Sequence, residues 1–144
     1  MCWTKYWRSL FSFQGWVVVH LNVGQEIAVV RLRRDKRCRL KCPACGRPVG
    51  EKRREWQTVK DLPLGPVPFV HIHYEAVQGR CSPCQSYITF RPEGFDGRAR
   101  ATERLKRFVS RACRFLPLSH VPDIAPVSTT TAYHWDKAVL KETL

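Results

Sequence analysis

Apolar and polar positions first alternate over residues 16–32. There "WVVVHL" and "EIAVVRL" flank Asn22, Val23 and Gly24. β-branched residues at a period of two, punctuated by Asn and Gly, predict a hairpin. Ahead of it Trp3, Tyr6, Trp7, Leu10 and Phe11 fall near helical spacing and predict a short helix with no function attached. The alternation returns where Val70, Ile72 and Tyr74 interleave with His71, His73 and Glu75. The segment "WQTVKDLPLGPVPFVHIHYEAV" therefore reads as two strands joined by a Pro/Gly turn, and "SYITF" adds another short strand.

From about Asp96 the period lengthens. Leu105, Phe108, Val109, Ala112 and Leu116 recur at i, i+3, i+4 and i+7, the apolar stripe of a helix. Arg104, Arg107, Arg111 and Arg114 form a basic stripe on another face, and Pro117 ends the pattern. Two shorter helical pieces follow, "HVPDIA" and "STTTAYHWDKAVLKE". The elements together predict an α+β fold: an N-terminal β-hairpin and a four-cysteine zinc ribbon, followed by a three-helix helix-turn-helix. The expected boundaries are residues 1–35, 36–95 and 96–144. No segment repeats at a fixed period and none is of low complexity.

Composition sharpens this picture. A chain of 144 residues, 44% of them hydrophobic, can form an ordinary core. The apolar run at residues 16–19 is far too short to span a bilayer, and the N-terminus lacks the h-region of a signal peptide. The expected setting is cytoplasmic, with no membrane association. There paired cysteines stay reduced and serve more often as metal ligands than as disulfides. Twenty-five Lys and Arg against 12 Asp and Glu leave a net charge of +13. Such an excess suits a polyanion, and double-stranded DNA is the expected partner, with association to the nucleoid. The bland reading is a solvated basic surface with no specific ligand.

Two Cys-x-x-Cys turns, "CPAC" and "CSPC", supply Cys42, Cys45, Cys81 and Cys84. Two such turns offer the four soft ligands of a tetrahedral site, so one structural Zn2+ is expected. Pro43 shapes the first turn, and Gly46 lets backbone N–H groups reach the thiolates. Gln85 stands where Gly46 stands in the first turn, which predicts a less regular second one. A redox pair would precede a helix, and neither turn does. Cys38 is a poorer ligand four residues upstream, and Cys2 and Cys113 read as small apolar residues. His71 and His73 share a strand face and fit an exposed or base-stacking role better than a metal site. Four thiolates leave no open coordination position, so the metal is a staple and catalysis at it is not expected.

The last helical piece opens at Ser128, a good N-cap. Ala132, Trp135 and Val139 recur on one face and pack inward. Thr129, Thr130, Tyr133, His134 and Lys137 then face outward and, with Ser128 at the helix start, are groups that can meet base edges or phosphates. A plain amphipathic helix with no ligand is the alternative. Phosphate-gripping candidates are Arg31, Arg33, Arg34, Arg47, Arg53 and Arg54 in the cysteine-bearing module, with Arg104, Arg107 and Arg111 on the basic helix.

Read in sequence, "CPACG", "VKDLPLGPVPFVHIHYEAVQGRCSPC", "YITF", "RARATERLKRFV" and "VSTTTAYHWDKAVL" resemble the N-terminal region of ISL3-family transposases, over residues 16–140. The Cys pairs and Asp61-Leu62-Pro63 carry most of the resemblance. It implies a hairpin, a four-cysteine ribbon and a helix-turn-helix that recognises transposon ends, with an RNase H-like DDE domain beyond. The segment before Ser128 is shorter than the family pattern and contains Pro122 and Pro126, which predicts a stunted middle helix. Asp61, Glu75, Asp96, Asp123 and Asp136 are scattered, whereas DDE chemistry needs clustered carboxylates around two metal ions. The chain is therefore expected to bind terminal inverted repeats without cutting or joining DNA, as a fragment or as a regulator. A second copy of itself or a transposase is the protein partner this implies. The competing reading is a protein-interaction module, with Trp3, Trp7 and Trp56 on a basic docking surface.

Overall fold

The computed structural model describes residues 8–144. The predicted helix positions Trp3, Tyr6 and Trp7, and Cys2, lie outside the described residues. Two strands follow the N-terminal segment, β1 (Trp16–Val23) and β2 (Ile27–Arg34). Their turn is closed by the Gly24 N–H donating to the Ile27 carbonyl at 2.9 Å. Then come β3 (Gly50–Asp61), β4 (Phe69–Cys81), β5 (Ser86–Phe90) and the two-residue strands β6 (Phe95–Asp96) and β7 (Ala101–Thr102). Helix α1 (Glu103–Cys113), a 3-10 segment (Leu118–Asp123) and helix α2 (Thr129–Thr143) complete the chain.

The strands form one sheet in the order β1-β2-β4-β3-β7-β6, with β5 paired to β4. The β3–β7 pair is parallel, and β4–β5 and β6–β7 are antiparallel, so the sheet is mixed. This overturns the expected architecture of a hairpin and a separate ribbon followed by a three-helix helix-turn-helix. The N-terminal hairpin and the cysteine-bearing strands belong to a single seven-stranded sheet. The physical reason lies in β4, where buried positions alternate for most of its thirteen residues. Such a strand can be paired along both edges, and β2 offers it an edge that would otherwise stay unpaired. The three-helix expectation fails at its middle member. Pro117 precedes the piece and Pro122 lies inside it, and a proline ring removes an N–H and clashes with the preceding turn. What forms there is a short 3-10 segment.

The chain divides into two compact units, and β1 to β4 each contribute residues to both. One unit comprises Arg31–Gln57, His73–Glu93 and the described N-terminal residues up to His20. Its fully buried side chains include Leu32 and Tyr74. Tyr74 Oη donates to Gln57 Oε1 at 2.7 Å, and the Trp16 ring meets the Tyr74 ring edge-on with centroids 6.2 Å apart. A small apolar cluster of Cys42, Val49 and Cys81, with Leu40, Ile88 and Phe90 against it, seals the cysteine end.

The other unit comprises Leu21–Val30, Thr58–Ile72 and Gly94–Leu144. Ala101, Leu105, Val109, Val121, Ala125 and Ala132 form its buried cluster, with Leu118 and Trp135 packed on it. Helix α1 begins at Thr102, whose Oγ1 accepts the Leu105 N–H at 3.3 Å and caps the first turn. Helix α2 begins at Ser128, whose hydroxyl accepts the Thr131 N–H at 3.2 Å, as expected of that residue. Buried Ser110 on α1 donates to Asp136 on α2 at 2.7 Å and fixes the two helices together. No helix among the described residues is long and apolar enough to cross a membrane.

Candidate metal centre and basic surfaces

Both Cys-x-x-Cys turns sit at hairpin tips. In the first, the Gly46 N–H donates to the Cys42 carbonyl at 2.8 Å and the Cys42 N–H to the Arg47 carbonyl at 2.9 Å. Leu40 and Val49 continue this narrow ladder. In the second, Cys81 ends β4 opposite Ser86, the first residue of β5, so Cys84 lies in the connecting turn. The long stretch between the turns is the β3–β4 hairpin, which brings its two ends together as the spacing demanded.

The four sulfurs converge, all within 4.8 Å of one another. Cys42 and Cys84 sulfurs lie 3.9 Å apart, and those of Cys45 and Cys81 lie 3.5 Å apart. A tetrahedral ion with metal–sulfur bonds of about 2.3 Å needs sulfur–sulfur edges of about 3.8 Å, so the cysteines fit one ion. Cys42 and Cys81 are buried, whereas Cys45 and Cys84 face outward. The Cys45 N–H, and to a lesser extent the Ala44 N–H, hold the Cys42 thiol down at about 7 despite its burial. Crowding by the Cys45 sulfur first, then by those of Cys81 and Cys42, pushes Cys84 up to about 12. Sulfurs this close cannot all ionise without a cation among them. Cys38 and Cys113 stay outside the cluster, as do His71 and His73, so the group is the expected one.

Gly46 has φ 72° and Gln85 has φ 50°. The residue that follows each cysteine pair is thus left-handed in both turns, although Gln85 is not a glycine. Gly79 matters for a different reason. A Cβ there would lie 2.5 Å from Val49 Cγ1 and 2.7 Å from the Gly50 carbonyl oxygen, so only glycine admits the start of β3 beside the end of β4.

The candidate phosphate-binding arginines divide into paired and unpaired sets. Arg34 donates to the Cys38 carbonyl at 2.8 Å and faces Glu51 at 3.4 Å. Arg54 reaches both Glu51 and Glu75, and Arg33 approaches Glu75 at 3.6 Å while lying over the exposed Trp56 ring. Arg31, Arg47 and Arg53 are exposed on β2, the first cysteine turn and β3. Arg104 is drawn onto Asp61, which is buried and also accepts from the Thr102 hydroxyl at 2.8 Å. The Asp61 that marked the Asp-Leu-Pro motif thus holds the start of α1. Arg107 and Arg111 are exposed, as is Arg114 of the same basic stripe.

On α2, Ser128, Thr129, Thr130, Tyr133, His134 and Lys137 are all exposed, whereas Ala132 is buried and Trp135 packs on the core. The Lys137 ammonium lies 5.9 Å from the Tyr133 ring centroid, and the His134 ring meets Tyr133 edge-on. Two cations the sequence did not single out, Lys60 and Arg100, line a cavity of about 410 Å3 with Ser128 and Thr131 at the start of this helix. Their link to α2 is not visible in the chain order, because it depends on β3 pairing with β7.

No known protein family, curated protein or solved structure matches the chain. Its function must be argued from these sites.

Proposed function

We propose that the protein is a double-stranded DNA-binding module, with one structural Zn2+ held by Cys42, Cys45, Cys81 and Cys84. The observation that carries this reading is the exposed face of α2. It presents two threonines, a tyrosine, a histidine and a lysine, while the two acids of the same helix lie elsewhere: Asp136 is turned inward to Ser110, and Glu142 lines the cleft against α1. Hydroxyl and imidazole groups can meet base edges, and Lys137, Lys60 and Arg100 can meet the flanking phosphates. The net charge of +13 favours the same class of partner. Zinc suits four thiolates in a closed site, where it contributes folding energy and no chemistry. The resemblance to ISL3-family transposases makes terminal inverted repeats of a mobile element the natural target, with a role in end recognition or regulation.

Selection from a randomised duplex pool at near-physiological salt, with and without a zinc chelator, tests this. One enriched sequence, lost on chelation, is expected. Thr130→Ala with Tyr133→Ala is expected to reduce discrimination by about 10-fold or more, since each good base contact is worth about 1–3 kcal/mol. Binding that only fades with rising salt, with no enrichment, would refute sequence reading. The basic surface around exposed Trp56 would then point to a protein partner.

A further inference from the structure

Helices α1 and α2 enclose a cleft of about 540 Å3 that the reading of duplex DNA leaves unused. Arg107, Arg111 and Arg114 line it, and none of the three has an acidic partner among the described residues. Phe108 lines the cleft to one side of them, 38% exposed, although the helical pattern assigned it to the buried stripe. Leu62 and Val139 supply further apolar wall, and Glu142 is the one acid lining the cleft. The walls are held in place by the Ser110–Asp136 hydrogen bond and the buried cluster beneath, so the cleft is formed before any ligand arrives.

We infer that this cleft binds single-stranded nucleic acid, one unstacked base lying on Phe108 and the adjoining phosphates on Arg107, Arg111 and Arg114. An exposed aromatic ring flanked by unpaired cations is the arrangement that single strands use, because every free base has a π-face and every linkage a charge. In a duplex the base faces are covered by their neighbours, so a phenylalanine in a cleft gains nothing from it. An apolar groove that bound only a protein helix would not need three unpaired arginines in a row. From Arg107 to Arg114 the helix rises about 10 Å, so the three arginines can meet neighbouring phosphates of one strand. The inference concerns a site separate from the exposed face of α2 and stands whether or not that face reads sequence.

Fluorescence anisotropy with the full metal-loaded chain tests it, using a labelled eight-nucleotide single strand and a hairpin duplex as separate probes. Phe108→Leu is expected to weaken single-strand binding roughly 5- to 100-fold and leave duplex binding within about twofold. Phe108→Tyr keeps the ring and is expected to retain single-strand binding, which separates stacking from a folding defect. Arg107→Gln with Arg111→Gln is expected to lower the salt slope for the single strand by about 1.4. Thr130→Ala with Tyr133→Ala is expected to change only the duplex result. The inference is overturned if Phe108→Leu binds the single strand as wild type does. It is equally overturned if the arginine variants lose both probes alike, or if an acidic amphipathic peptide displaces the single strand at lower concentration than unlabelled oligonucleotide does.

Discussion

Gln85 holds a left-handed backbone at the position that Gly46 fills in the first cysteine turn. An L-residue with a side chain is strained there by about 1–2 kcal/mol. A glycine would relieve that strain but would add roughly 0.4–1 kcal/mol of freedom to the unfolded chain. Gln85→Gly is therefore expected to stabilise the metal-loaded protein by about 0.5–1 kcal/mol, read as a shift in the denaturation midpoint. Gln85→Val should move it the other way, because a branched Cβ is the worst fit to this region. Equal midpoints for all three would mean that the turn relaxes and its shape is not imposed by the sulfurs. The sequence showed the difference between Gly46 and Gln85 but not its outcome. Four sulfurs drawn to one point can hold a left-handed residue there even when it is not glycine.

Asp61, Thr102 and Arg104 join the end of β3 to the start of α1, and the parallel β3–β7 pairing brings them together. The pair is asymmetric, since Asp61 is 1% exposed while Arg104 is 39% exposed. Removing Arg104 strands a buried carboxylate, which costs about 3–5 kcal/mol. Removing Asp61 frees a guanidinium that water can reach, and costs mainly the buried Thr102 hydroxyl its acceptor, about 1–3 kcal/mol. Chemical denaturation of the two alanine variants and the double variant checks this. Arg104→Ala should be the less stable single variant, and adding Asp61→Ala should recover part of the loss. The reverse order would show that Arg104 is not paired with Asp61 in solution. At this scale the local pattern was legible: β1 to β5 and the cap at Ser128 lie in short stretches of chain, although α1 ends at Cys113, short of the Pro117 that was expected to stop it. The Asp61–Arg104 pair was not, because it joins residues far apart through two-residue strands too short to show any period.

At the scale of the whole molecule, the cysteine end of one unit and the helices of the other are consolidated by different means. The cluster under α1 and α2 is made of ordinary aliphatic side chains and contains none of the four metal ligands. The cluster at the cysteine end has three buried members, and two of them are Cys42 and Cys81 themselves. So little apolar surface cannot offset the entropy of ordering two turns and the strand ends that carry them. Under the proposed zinc reading a bound ion supplies the difference, since structural zinc sites contribute on the order of 10 kcal/mol. This is why the cysteines were the most legible feature of the sequence. Their spacing encodes a cross-link, whereas the merging of two hairpins into one sheet depends on which strand edges remain open, and no local pattern records that. Chelation should therefore act unevenly, and hydrogen exchange followed by mass spectrometry can resolve it. Amides of residues 40–49 and 81–90 are expected to lose protection first, while those of α1 and α2 persist at chelator concentrations that have emptied the site. Lower pH should have the same local effect at fixed zinc, because the thiols must shed protons to bind and regain them as pH falls. Simultaneous loss of protection in both regions would mean that the ion holds the whole sheet together, and that α1 and α2 have no stability of their own.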